Sequence, residues 1–414
     1  MAKKIDSQLG RDYLWNTASS IIGSASMVIM ALVVSRFLGG YAAGVFTLAT
    51  AAGQQFQTLG AYEVRPYQAT DVRHRFSFPT YFAARLITVA LMVVGIVGTT
   101  LWSGRPASDM IAFLIIASLR LFDAFEDVFY GEFQRLGRLD IAGKANFFRV
   151  LVTLASFLVA LLVTHDLLLT SLVTFVLSFI AMVALILPAA RTMLPLRPSF
   201  AWKPLRRLLL ECFPLFLAAF LAMYLNNAPR YAVESNVPLL QGEYGILFMP
   251  ALAINILAMF IFRPLLTRMA THWTENDHAG FLRLMLRGLQ SAVGAFILTF
   301  IATLVAGIPI LEVFSGLDLA EFKGALLVLV AGGAFNAVSI ILYYALTTMR
   351  LQRVVLIGYA IVAVMALVLS QVLVSHLGIM GAALAYASTM LVLSLIFGAA
   401  LAYFIRRVPA DTDQ

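Results

Sequence analysis

Between residues 108 and 132 an otherwise apolar stretch holds Arg120, Asp123, Glu126 and Asp127. A charge at the centre of a bilayer costs at least ~2.5–3.5 kcal/mol on insertion scales, so charged groups in such a stretch are candidates for binding or coupling. At the α-helical repeat, Arg120, Asp123, Asp127, Tyr130 and Gln134 fall within a wedge of roughly 80°. Arg120 can pair with Asp123 at i+3, and without a cation Asp123 would be a costly buried acid. One reading is a proton-responsive ladder of ion pairs along the wall of a wet cleft, with Asp123 and Asp127 as ion-coupling acids and Arg120 as an anion ligand. The other is that Glu126 and Asp127, within two turns of the stretch's end, are simply hydrated.

A second cluster is Asn226-Asn227-Ala228-Pro229-Arg230, followed by Glu234 one turn on. Asn226, Asn227, Arg230 and Glu234 share a helical face roughly 100° wide. Pro229 lacks a backbone donor and is expected to kink or break the helix there. Amides and a guanidinium at a broken helix suit anions or sugar hydroxyls, with Glu234 as a further coupling acid. The alternative is a headgroup-anchored Arg230 paired with Glu234. Gln54 and Gln57, on a stripe with Thr47, Thr50 and Thr58, are candidate hydroxyl ligands, as is Asn336, on a stripe with Ser339, Tyr343 and Thr347. Small and hydroxyl residues also serve as ordinary packing contacts between membrane helices. Arg36 precedes Gly39-Gly40 and is a further candidate phosphate ligand; Arg85 and Arg149 are expected to anchor at headgroups.

No phosphate-binding loop, dinucleotide fingerprint, HExxH or nucleophile elbow occurs. The histidines, His74 among them, all fall in connections, and the single Cys212 excludes an internal disulfide. The residues therefore imply no metal, no cofactor and no enzymatic centre. The net charge of +8 would suggest nucleic acid in a soluble chain. Here the placement of the positive charge explains it without nucleic acid.

The elements that position these residues are apolar stretches near 13–37, 41–63, 79–103, 108–132, 144–164, 167–190, 208–235, 242–266, 284–309, 323–347, 353–374 and 378–404. Most have the length needed to cross a hydrocarbon core of roughly 30 Å. With 61% hydrophobic residues and a mean hydropathy of +0.91, the chain leaves no room for a soluble domain. The termini and even-to-odd connections carry 22 Lys and Arg, whereas the odd-to-even connections carry only Arg105 and Lys323. Both termini are therefore expected in the cytoplasm of a bacterial inner-membrane protein.

The longest connection, residues 191–207, is basic, with Phe200 and Trp202 interleaved, and reads as a partly amphipathic linker at the headgroups. It separates an N-terminal six-helix lobe, 1–190, from a C-terminal one, 208–414. The halves read as repeats: Leu38 to Phe46 answers Leu239 to Phe248, with Gly44 and Gly245 aligned at a shift of about 200. Parallel repeats of this kind place a substrate between two lobes.

The Ser35-Arg36-Phe37-Leu38-Gly39 to Gly44 turn, the Gly242-Glu243-Tyr244-Gly245 turn, Phe213-Pro214-Leu215 and Phe129 to Arg138 carry a family resemblance. In these the chain resembles the polysaccharide-transporter (Wzx-like) flippases of the multidrug/oligosaccharidyl-lipid/polysaccharide exporter superfamily. The resemblance implies an all-α, V-shaped bundle of about twelve transmembrane helices in two pseudo-symmetric lobes. It implies a monomer that moves a polyprenyl-diphosphate-linked oligosaccharide across the phospholipid membrane by alternating access, supplying a polysaccharide polymerase and chain-length machinery. Members commonly carry an Asp-Arg pair near the outer end of span seven; here Pro229-Arg230 stands there, so only Arg230 carries over. The first span lacks the arginines typical of lipid II flippases, which argues against that substrate. A multidrug or toxin exporter of the same superfamily is the alternative, and a membrane-embedded polymerase or ligase a more distant one.

Overall fold

The computed structural model describes residues 2–71, 75–102 and 106–407; Arg73, His74 and Arg105 lie outside them. The described residues are helical almost throughout. The helices are α1 (Ala2–Ala61), α2 (Val64–Thr70), α3 (Phe78–Trp102), α4 (Ala107–Ser118), α5 (Arg120–Arg135), α6 (Leu139–Thr164) and α7 (Leu167–Met193). They continue as α8 (Trp202–Asn236), α9 (Gln241–Leu247), α10 (Met249–Thr274), α11 (His278–Ala302), α12 (Ile308–Ser315), α13 (Lys323–Thr348) and α14 (Gln352–Arg407). Among the described residues 9 helical stretches are long and apolar enough to cross a membrane. Two of these, Gly10–Thr70 and Gln352–Arg406, each contain two expected spans. With α4–α5, too charged to qualify, the count reaches the expected twelve (9 + 2 + 1). The chain is a multi-pass membrane protein.

The paired spans are divided by glycines. Gly39 has φ 85° and ψ 177° inside α1, and Gly378 has φ 58° and ψ −131° inside α14. A side chain would be strained at both positions, so glycine lets the helix end and restart. Pro229 does not do the same: α8 runs unbroken from Trp202 to Asn236. Of the expected kink or break, the break is absent, because one lost amide donor leaves the bonds of the flanking turns in place.

The chain divides into two compact units, Met1–Met223 and Tyr224–Gln414. In the first, α1 packs on α6, α3, α4 and α5; in the second, α13 packs on α14 and α10, and α10 on α11. Apolar burial does not drive helix association in lipid, so close approach must come from small residues. A Cβ on Gly53 of α1 would lie 2.7 Å from the Ala117 carbonyl oxygen of α4. A Cβ on Gly333 of α13 would lie 2.7 Å from the Ala251 carbonyl oxygen of α10. Each unit thus contains the same backbone-to-backbone crossing with Gly and Ala exchanged between the two helices.

Between α7 and α8, residues 194–201 form an irregular strap. Its Ser199 amide donates to the Pro79 carbonyl at 2.9 Å.

Candidate functional site

The charged residues of α5 are drawn into one network inside the first unit. Arg120 donates to Asp123 at 2.9 Å, as the i+3 spacing predicts. The other oxygen of Asp123 takes Arg149 of α6, which also donates through Nε to Glu126 at 2.8 Å and through Nη2 to Asn146 at 3.1 Å. Glu126 Oε2 accepts the Tyr130 hydroxyl at 2.6 Å, and its Oε1 is buried with no hydrogen-bond partner. Glu126 has no exposed surface, so the hydrated reading does not hold for it.

Asp127 turns to different cations. It accepts Arg85 of α3 at 2.7 Å and Arg65 of α2 at 3.4 Å. Arg85 also donates to the Gly60 carbonyl, which takes the Thr88 hydroxyl at 2.7 Å. That carbonyl belongs to the last turn of α1, where the helix leaves carbonyls unbonded and its dipole is negative. Tyr62 and Glu63 follow at φ 50° and 51°, ending the helix there. Arg85 is therefore seated between a carboxylate and a helix C-terminus.

Arg85 and Arg149 do not anchor at headgroups. Arg85 is fully buried and Arg149 is 4% exposed. The physical reason is charge balance: Asp123, Glu126 and Asp127 of α5 have only Arg120 beside them on that helix, since Arg135 is taken by Glu132, and the missing cations must come from neighbouring helices. That count was available from the sequence, because Arg85 and Arg149 are the other arginines within spans three and five.

Gln54 joins the network's more open edge. Its Nε2 lies 3.2 Å from the Met27 sulfur, and Arg120 lies 3.6 Å from the same atom. A thioether is a weak acceptor, so both groups keep donor capacity for something stronger. Gln57 is half-buried. Arg36 is exposed at the end of the first half of α1 and takes no part in the network. The neighbouring Gln55, not singled out from the sequence, is buried and donates to the Phe220 carbonyl of α8 at 3.0 Å.

In the second unit, Asn336 of α13 donates to Asn226 of α8 at 3.0 Å, and the Ser339 hydroxyl donates to the Asn336 carbonyl at 2.8 Å. Asn227 and Arg230 are buried. The Arg230 guanidinium lies over the Phe248 ring, 5.5 Å from its centroid, a cation–π contact. It does not reach for the headgroups. Phe248 was not read as part of the site: it follows the Gly242–Gly245 turn, and only folding brings it beside α8.

No protein-family model and no curated protein sequence matches the chain. Solved structures do. The lipid II flippase MurJ, in an inward closed conformation, aligns with a TM-score of 0.72 at 13% identity, covering 96% of this chain and 88% of that one. A MATE transporter of Vibrio cholerae aligns at 0.65 and 14% identity, with 98% of each chain covered. A transporter of the same superfamily from Pyrococcus furiosus, described with a binding pocket of reverse polarity, aligns at 0.61 and 13% identity over 97% of this chain and 96% of that one. At such identities the likeness is one of architecture, and the chain has the fold of the multidrug/oligosaccharidyl-lipid/polysaccharide exporter superfamily.

Proposed function

We propose that the protein is a flippase that moves a polyprenyl-diphosphate-linked oligosaccharide, a surface-polysaccharide precursor, across the cytoplasmic membrane by alternating access. The observation that carries this reading is the polar interior of the first unit, where four guanidinium groups (Arg65, Arg85, Arg120, Arg149) meet three carboxylates (Asp123, Glu126, Asp127). On its more open edge the Gln54 amide and the second Nη of Arg120, whose first Nη is paired with Asp123, both meet the Met27 thioether. A diphosphate accepts far better from a guanidinium than a thioether does. Asn226, Asn227 and Asn336 offer amides to sugar hydroxyls, and Arg230, Arg36 and Gln57 complete the proposed substrate set. Asp123, Asp127 and Glu234 are the proposed coupling acids. Protonating Asp127 would release Arg85 and Arg65, and coupling follows if the two conformational states differ in their affinity for that proton.

The test is lipid extraction from cells lacking the protein. A polyprenyl-diphosphate glycan should accumulate, and wild-type protein should clear it while Arg120→Ala or Arg230→Ala should not. The residue assignment is wrong if both variants clear it. A second reading, an ion-coupled multidrug exporter, is favoured by the buried, unpartnered Oε1 of Glu126, an oxygen free to receive a cation. Absence of glycan accumulation together with altered sensitivity to cationic toxins would select it.

A further inference from the structure

We propose that the strap between α7 and α8, with the first turns of α8, is a docking site for the headgroup and upper acyl chain of an anionic phospholipid. This inference stands apart from the transport reading. No Asp or Glu occurs between Asp166 and Glu211, a stretch that contains Arg191, Arg197, Lys203, Arg206 and Arg207. All five cations are exposed. Glu211 does not neutralise them as a group, because it is already engaged. It accepts Arg207 at 2.8 Å and the Tyr67 hydroxyl, and Arg75 lies 3.8 Å away. Among the described residues, Arg191, Arg197, Lys203 and Arg206 therefore remain as unneutralised positive charge.

The strap is held in place while its charges face outward. Leu194, Leu205 and Leu208 are buried, and the Ser199 amide is bonded to Pro79. Phe200 and Trp202 are 57% and 70% exposed beside the cations, an arrangement suited to a membrane interface. The first turn of α8 carries no acid, so its helix dipole adds to the positive field.

The exposed face of α8 then changes character along its axis. Lys203, Arg206, Leu210 and Phe213 recur at spacings of three, four and three residues, which puts them on one stripe. The two cations at its start give way to exposed Leu210 and Phe213, roughly 10 and 15 Å along the axis from Lys203. That sequence of phosphate-binding charge followed by apolar surface matches a phospholipid read from headgroup to chain. A soluble phosphate or a nucleic acid would have no use for the apolar end.

The experiment uses the full chain with Trp202 as its only tryptophan, in vesicles of phosphatidylcholine with added phosphatidylglycerol. Brominating either lipid reports which one quenches Trp202. Brominated phosphatidylglycerol should quench more than its mole fraction predicts. Each cation near the surface contributes about fivefold to the preference, so K203Q/R206Q should lower it by roughly twenty-five-fold. R191Q/R197Q/K203Q/R206Q should abolish it, and high salt should do so in the unsubstituted strap. Equal quenching by the two brominated lipids, or a preference that survives the fourfold substitution in a chain with unchanged helix content, would overturn the proposal.

Discussion

Replacing Arg149 with Met tests whether the buried network is held by charge balance. Arg120, Arg149, Asp123 and Glu126 together carry two positive and two negative charges. Arg149→Met leaves that group at −1, with Glu126 fully buried and holding only the Tyr130 hydroxyl. One ion pair at about 4 Å is worth ~4 kcal/mol at an effective dielectric of 20, and Arg149 takes part in two. After the desolvation that the methionine no longer incurs, breaking such a pair costs about 3–5 kcal/mol. Glu126→Gln leaves the group at +1 and should also destabilise. The double variant is neutral again, since Arg120 and Asp123 keep their own 2.9 Å pair. It should therefore be more stable than the sum of the single changes by about 1–3 kcal/mol. The assay is detergent-driven unfolding followed by tryptophan fluorescence. Trp15 is a suitable probe because its ring lies 5.7 Å from that of Phe147, two residues before Arg149 on α6. Arg149→Met within about 0.5 kcal/mol of wild type, or additive single changes, would refute the reasoning.

The close crossings predict that Gly53→Ala and Gly333→Ala each cost about 1–3 kcal/mol, because each new methyl meets backbone that cannot give way. Gly98→Ala, with open space around it, should stay within about 0.5 kcal/mol in the same unfolding titration. Burial pushes the Asp71 carboxyl up, but the Arg75 and Phe76 amides, the Tyr81 hydroxyl and the Arg75 guanidinium outweigh it and hold it below its ordinary value. The resulting stability is present above the unfolded-state value of about 3.9 and is lost as pH falls through the lower folded value. Asp71→Asn should thus be less stable than wild type at neutral pH by about 1–3 kcal/mol, with the gap closing on acidification; a gap constant across pH would contradict this.

The membrane architecture was legible in the sequence because a bilayer imposes length, apolarity and charge asymmetry on each span separately. The most charged span, α4–α5, was still legible as an apolar stretch, and its Arg120–Asp123 pair could be anticipated because i+3 spacing is a local property. What the sequence left open depended on neighbouring helices. It did not say which cations would balance Glu126 and Asp127, that Arg85 would sit against the end of α1, or that Arg230 would lie over Phe248. Each of those contacts joins residues that only packing brings together. The cost of an unbalanced charge in the interior then decides which partners are kept. Pro229 shows the converse: a local signal to kink or break the helix did not end α8, which runs through it to Asn236.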